Sequence, residues 1–181
     1  MNNKPNDLLL LAGKILTVLM QAFMAIGAVA LTIALPIVIF MQDKIDAEIA
    51  AEYGNTVGEL PMMALAGVIV LALAAVALIF VFFGKLRAII STVGDGDPFE
   101  PANADRLNFM AWLLLAVQVI AIPIGGLALL LAKWVEPMEN SEFTVDAGFD
   151  LTGILLVIIL FILARVFKHG AAMREDLEGT V

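Results

Sequence analysis

The chain has 181 residues, no cysteine, one histidine and a formal net charge of −8. Its mean hydropathy is +1.01, and 62% of its residues are hydrophobic, against roughly half in soluble globular domains. The lack of cysteine excludes disulfides, thiolate metal sites and thiol nucleophiles. The negative charge argues against direct nucleic-acid binding, because phosphate contacts need clustered lysine and arginine. The composition therefore indicates an integral membrane protein.

Long apolar blocks predict the membrane spans in chain order. Three blocks contain no charged residue, at 15–41, 60–83 and 109–132. A helix of roughly 20 apolar residues crosses the hydrocarbon core of a bilayer, and lipid offers no partner for backbone groups outside a helix. A fourth block, 151–167, contains Arg165, whose long side chain can carry its charge to the headgroups. We predict an all-α protein with four transmembrane helices arranged as two hairpins.

The cations predict that both ends of the chain lie in the cytoplasm, since lysine and arginine concentrate in cytoplasmic segments. This orientation puts an inner loop at 84–108 and a tail at 168–181. The inner side then holds eight of the ten cations, namely Lys4, Lys14, Lys85, Arg87, Arg106, Arg165, Lys168 and Arg174. The outer loops hold only Lys44 and Lys133. We predict a single domain, residues 1–181, that crosses a membrane several times.

The two outer loops, 42–59 and 133–150, are rich in carboxylates. Such clusters could bind divalent cations or protons, but no spacing in them matches a calcium-binding loop. The alternative is that these carboxylates have no function: lysine and arginine concentrate on the inner side, so acidic residues predominate in the outer loops. The sequence leaves cation binding by these loops open and predicts no metal site and no cofactor.

The inner loop has the most specific local chemistry of the chain. Gly94 and Gly96 allow a tight turn, and Pro101 suits the first turn of a helix. We therefore expect the third long helix to begin near Pro101, with Phe99 folding back on it. An exposed loop with such residues is a candidate partner contact, and the alternative is a rigid connection between two helices.

Two glutamines lie inside the predicted spans. Gln118 falls near the middle of the third span and Gln21 closer to the inner surface. A hydrogen bond between helices would account for either one. Alternatively, Gln118 could contact a solute in a cavity opened by helix breaks at Pro36 and Pro123. A path through the membrane would require several copies of such a small bundle, so homo-oligomerisation stays open.

Two segments resemble a known family. Residues 96–99 (Gly-Asp-Pro-Phe) and 103–107 (Asn-Ala-Asp-Arg-Leu) resemble the signature of small bacterial membrane proteins known as domain of unknown function 2975. Residues 167–170 (Phe-Lys-His-Gly), then Leu177 through Val181, are similar to that family's C-terminal pattern. The resemblance covers essentially the whole chain. It implies a location in the bacterial cytoplasmic (inner) membrane and no established activity. Many members are encoded beside a small helix-turn-helix regulator, which implies a membrane partner that restrains such a regulator.

We predict a non-enzymatic protein, because no pair of catalytic groups occurs at a plausible depth. Its cytoplasmic face would bind a small helix-turn-helix transcription regulator, and the lipid bilayer is its other partner. The candidate docking residues are Asp97, Pro98, Phe99, Asn103, Arg106, Leu107, His169, Gly170, Leu177 and Val181. The alternative is a small transporter or a membrane protein that binds a lipid or another small molecule.

Reporter fusions test the predicted orientation. A reporter active only in the cytoplasm should be active when fused after Asp97 and after the last residue, because both positions lie on the cation-rich side. The same reporter should be silent when fused within residues 42–59. Activity that differs between the first two fusions would contradict the arrangement with four spans.

Overall fold

The computed structural model of the chain describes residues 8–53, 58–136 and 150–178. Within these ranges the chain forms only helices, with no strand: α1 (Leu8–Phe40), α2 (Gln42–Tyr53), α3 (Met62–Gly94), α4 (Pro101–Val135) and α5 (Leu151–Glu178). Four of them, α1, α3, α4 and α5, are long and apolar enough to cross a membrane, with hydropathies between 2.4 and 3.1 in their most apolar stretches. The predicted all-helical fold with four apolar spans is confirmed.

The long helices extend beyond the apolar blocks from which they were predicted. A helix of 33 residues, such as α1 or α3, is about 50 Å long, whereas the hydrocarbon core is about 30 Å thick. Many large apolar side chains on these helices are exposed, including Phe23, Ile26 and Ile122. Lipid is the solvent that makes such exposure favourable. Four long apolar helices therefore indicate a multi-pass membrane protein.

Helix α2 lies in the segment 42–59, for which the charges predict only an acidic outer loop. Helix α2 contains alanine and glutamate, which favour helices, and neither glycine nor proline interrupts it. The Asp46 carboxylate accepts a hydrogen bond from the Leu60 backbone N–H at 3.0 Å, which ties α2 to the segment before α3. Charge gives no information on the conformation of this segment, which local helix propensity decides.

The described residues group into two compact units. The first contains 8–25, 78–117 and 151–178, and the second contains 26–53, 58–77, 118–136 and Asp150. The first unit has a buried apolar cluster to which α3, α4 and α5 contribute. Its members are Ile89, Leu107, Met110, Ala111, Leu160 and Ala164. This cluster supports the polar loop that joins α3 to α4.

In the second unit, α3 and α4 approach each other closely at a glycine. A Cβ atom added to Gly67 would lie 2.9 Å from Cδ1 of Leu127. Small residues permit such close helix packing in membranes, where dispersion contacts replace the hydrophobic effect between helices. In the same unit, the Trp134 indole donates a hydrogen bond of 2.8 Å to the Gly58 carbonyl.

Substitution of Gly67 tests this contact. Gly67→Leu should lower the free energy of unfolding by about 1–3 kcal/mol, because the added carbons overlap Leu127. Gly126→Leu is the matched control, since a Cβ atom on Gly126 meets nothing within 4 Å. Unfolding in mixed dodecyl maltoside and dodecyl sulfate micelles measures both variants. Equal effects of the two substitutions would contradict the close approach.

Candidate functional site

The loop between α3 and α4 begins with a turn that depends on glycine. Helix α3 ends at Gly94, and Gly96 has a φ of 88°, in the left-handed region that favours glycine. The Gly96 N–H donates to the Val93 carbonyl at 3.1 Å, and the Asp97 N–H donates to the Thr92 carbonyl at 2.9 Å. These bonds satisfy carbonyls that the end of a helix leaves without partners. The predicted tight turn is confirmed.

Helix α4 begins at Pro101, as predicted, and Asn103 lies in its first turn with none of its surface exposed. The Asn103 side-chain amide donates one hydrogen bond to the Thr92 hydroxyl at 2.8 Å and another to the Pro98 carbonyl at 3.0 Å. Its side-chain oxygen accepts a hydrogen bond from Arg106 at 2.8 Å. Both amide protons and the amide oxygen of Asn103 are therefore satisfied, and one side chain joins α3, the loop and α4.

Arg106 extends this network to Glu100, the last residue of the loop before α4. Its guanidinium lies 3.3 Å from a carboxylate oxygen of Glu100, and both side chains are partly buried. The arginine therefore bridges Glu100 and Asn103 across the first turn of α4. Charge-assisted hydrogen bonds of this kind are stronger than neutral ones, so they reinforce the position of the loop.

Phe99 packs on α5, which corrects the expectation that it would fold back on α4. Its ring centroid lies 5.6 Å from that of Phe167. A Cβ atom added to Gly170 would lie 2.6 Å from Cδ1 of Phe99, so only glycine leaves room for the ring. The expectation was wrong because hydropathy marks α5 as a membrane span and gives no sign that its C-terminal part passes the loop. Phe99 nevertheless remains 40% exposed.

A second contact joins the same loop to α5. The Asp97 carboxylate forms an ion pair and hydrogen bond with Arg174, about one turn beyond Gly170. Both side chains are more than a third exposed, so we expect the pair to add little to stability, of the order of 0–1 kcal/mol. The pair lies on the same side of α5 as Gly170, because Arg174 and Gly170 are four positions apart on the helix.

The structure brings together six of the ten candidate docking residues: Asp97, Pro98, Phe99, Asn103, Arg106 and Gly170. Leu107 is a core residue, because it is buried in the apolar cluster of the first unit. His169 and Leu177 are exposed on α5, and Val181 lies outside the described residues. Asn103 and Leu107 are inaccessible in this conformation, so they hold the loop in place and do not themselves offer a surface.

Sequence reasoning missed Thr92, Phe167 and Arg174 as parts of this site. Thr92 receives a hydrogen bond from Asn103, and its own hydroxyl donates to the Ile89 carbonyl at 2.9 Å. The available signal was its position, a hydroxyl just before the glycines that end α3. For Arg174, the signal was a cation in an amphipathic tail on the same side as an acidic loop.

Gln21 and Gln118, the two glutamines of the predicted spans, have separate partners. The Gln21 amide donates to the Phe80 carbonyl at 3.4 Å, a long hydrogen bond between α1 and α3. The Gln118 amide lies 3.3 Å from a carboxylate oxygen of Asp150, the residue that precedes α5. Each side chain therefore has a protein partner, and only the Gln21 bond joins two helices. Among the described residues, no group of three potential metal ligands occurs, and much of the second acidic loop lies outside them.

Removal of the buried amide tests how far the loop depends on it. Asn103→Leu should lower the free energy of unfolding by about 1–3 kcal/mol, because the Pro98 carbonyl and Arg106 lose a buried partner. Asn108→Leu, one turn further along α4, is the matched control because Asn108 is exposed. Detergent unfolding measures both variants. An effect of Asn103→Leu no larger than that of the control would contradict the assigned network.

Comparison with known proteins bears on the whole chain. No curated protein and no solved structure matches it significantly. The family described as "protein of unknown function (DUF2975)" matches residues 16–181, which include all of α3, α4, α5 and the loop network around Asn103. That match bears out the resemblance seen in the loop and tail segments. The chain belongs to this family of membrane-helix proteins of unknown function.

Proposed function

We propose that the chain is a non-enzymatic protein of the bacterial cytoplasmic membrane that binds and restrains a small helix-turn-helix transcription regulator. The binding surface is the loop–tail face, which we define as residues 95–100 together with the exposed side chains of residues 169–177. The observation that carries the proposal is the attachment of the loop to α5 through Phe99 and Asp97, which leaves an ordered and partly apolar surface. The helix-turn-helix class of the partner comes from the family resemblance.

The tail supplies apolar anchors next to the loop. Met173 and Leu177 are 53% and 72% exposed, and their four-residue spacing places them on one face of α5. They lie beyond Lys168, in the part of α5 where apolar and charged residues alternate. The Phe99 ring packs against Gly170, one helical turn before Met173. Exposed apolar residues surrounded by polar ones are typical of surfaces that bind another protein.

The charge of the loop supports a basic partner. The segment 95–107 contains four carboxylates and one cation, namely Asp95, Asp97, Glu100, Asp105 and Arg106. Helix-turn-helix proteins carry lysine and arginine to neutralise DNA phosphates. An acidic loop would attract that basic surface and guide its orientation. DNA and the loop would then compete for the same face of the regulator, and restraint requires only differential affinity, without catalysis.

The orientation of the chain is part of the proposal. A transcription regulator is reached only if the loop between α3 and α4 and the end of α5 both face the cytoplasm. Eight of the ten cations lie on that side when the first residues are cytoplasmic, which supports this orientation. The proposal therefore assigns the polar ends of α3, α4 and α5 to the cytoplasm.

Affinity measurements with matched variants test the proposal. The full chain in detergent should retain the regulator encoded beside it. Met173→Ala combined with Leu177→Ala should weaken binding at least about tenfold, since truncated interface anchors often cost more than 1 kcal/mol each. Met63→Ala combined with Leu151→Ala is the control, because it removes the same two side-chain types from exposed positions outside the loop–tail face.

Two outcomes would contradict the proposal. One is an equal loss of regulator binding in the control variant and in the tail variant. The other is binding that survives deletion of residues 97–99 together with residues 177–181. Either result would leave the loop–tail face without a role in recognition.

A further inference from the structure

A groove between α4 and α5 in the first unit has no part in the loop network. Its volume is about 560 Å³. Two small buried residues, Ala104 on α4 and Ala164 on α5, contribute to its lining. The space exists because neither helix places a large side chain at these positions. The groove is long enough along the helix axes to have two chemically different ends.

The polar end of the groove is lined by Arg165 and Lys168 from α5 and by Asp105 and Asn108 from α4. Among the residues that the structure describes, Arg165 and Lys168 form no ion pair and no hydrogen bond with a side chain. Both side chains are exposed. Two cations and one carboxylate leave this end with a net positive charge, whereas the whole chain carries −8.

The apolar end is lined by Trp112, Ile158, Phe161 and Ile162. The Trp112 and Phe161 rings pack edge to face, with centroids 5.5 Å apart, and hold the indole against α5. Trp112 is still 57% exposed, and Ile158 and Ile162 are also exposed. Tryptophan is common at the boundary between hydrocarbon and headgroups, because its ring is apolar and its N–H is polar.

The two ends of the groove lie on opposite sides of the polar boundary of both helices. On α4, Asn108 is the last polar residue before an uncharged apolar stretch that begins at Phe109. On α5, Arg165 follows a charge-free stretch from Leu151 to Ala164. The Trp112–Phe161 contact places these two boundaries at a similar height. The groove therefore crosses from a charged to an apolar environment within a few ångströms.

We infer that this groove binds one anionic phospholipid of the adjoining leaflet. Its phosphate lies between Arg165 and Lys168, and an acyl chain follows Trp112 and Ile162 into the hydrocarbon. Basic pockets between transmembrane helices are suited to anionic headgroups. Asp105 and Asn108 can accept hydrogen bonds from headgroup hydroxyls, which favours a glycerol headgroup such as that of phosphatidylglycerol. The site does not depend on the regulator proposed above: no groove residue belongs to the loop–tail face, and of the acidic residues in 95–107 only Asp105 lines the groove.

The charges of the groove give an estimate of how much more tightly it binds an anionic lipid than a zwitterionic one. Each cation near a membrane surface favours an anionic lipid about fivefold, and Asp105 offsets one of the two. We therefore expect about a fivefold preference for phosphatidylglycerol over phosphatidylcholine. Asp105→Asn should raise that preference by about fivefold, and Arg165→Gln combined with Lys168→Gln should abolish it.

Tryptophan quenching provides the measurement. The chain has two tryptophans, so Trp134→Phe leaves Trp112 as the only one. This protein is placed in phosphatidylcholine vesicles that contain the same minor fraction of either brominated phosphatidylglycerol or brominated phosphatidylcholine. Brominated phosphatidylglycerol should quench Trp112 more strongly, and the excess should disappear in the Arg165→Gln, Lys168→Gln variant. Lys85→Gln combined with Arg87→Gln is the charge-matched control, since both cations lie at the end of α3 and outside the groove.

Three outcomes would overturn the inference. Equal quenching by the two brominated lipids would show that the groove does not select an anionic lipid. An equal loss of the preference in the Lys85→Gln, Arg87→Gln control would assign it to general surface charge. If inorganic phosphate removes the lipid preference and chloride at the same ionic strength does not, the groove is a site for a free anion. If the double variant at Arg165 and Lys168 fails to fold, Asp105→Asn still tests the inference, because it should raise the preference for phosphatidylglycerol.

Discussion

The polar end of this protein depends on one buried amide. Asn103 lies in the first turn of α4 with no exposed surface, where an unpaired amide would be costly because neither water nor lipid could satisfy it. Thr92, the Pro98 carbonyl and Arg106 all bond to it, and these partners come from the end of α3, the loop and α4. Such a requirement leaves few alternative positions for the loop. The placement of Phe99 and Asp97 against α5 follows from that constraint, because both residues lie in the segment between Gly96 and Pro101.

The loop–tail face and the lipid groove use the two sides of the same helix end. On one side, Gly170 and Arg174 of α5 receive the loop through contacts that are specific in shape and charge. On the other side of α5, Arg165 and Lys168 line a groove that has small residues at its floor and apolar residues at its far end. A helix that leaves the membrane at a charged boundary and continues as an amphipathic segment can therefore contact lipid and protein within a few turns.

Hydropathy and turn chemistry predicted much of this structure. Charge-free blocks predicted the four apolar helices, since only a helix satisfies its own backbone in lipid, and the Gly96 turn and the Pro101 helix start followed from backbone preferences. The partner of Phe99, the Asp97–Arg174 pair and the bond between Asn103 and Thr92 were not predicted, because each joins residues whose proximity depends on how whole helices pack. Helix α2 was not predicted for another reason: its charges are typical of an outer loop, although its residues also favour a helix.

The glycine at position 170 has a consequence for how α5 could transmit a signal. Successive residues of a helix are separated by about 100° around its axis, so only one rotational phase of α5 presents the notch at Gly170 to the Phe99 ring. A turn of the helix by a single residue would bring Ala171 or His169 to that place, and their side chains would expel the ring. Rotation of α5 would therefore displace the Phe99 ring from Gly170, whereas the hydrogen bonds of Asn103 would still hold the rest of the loop to α3 and α4.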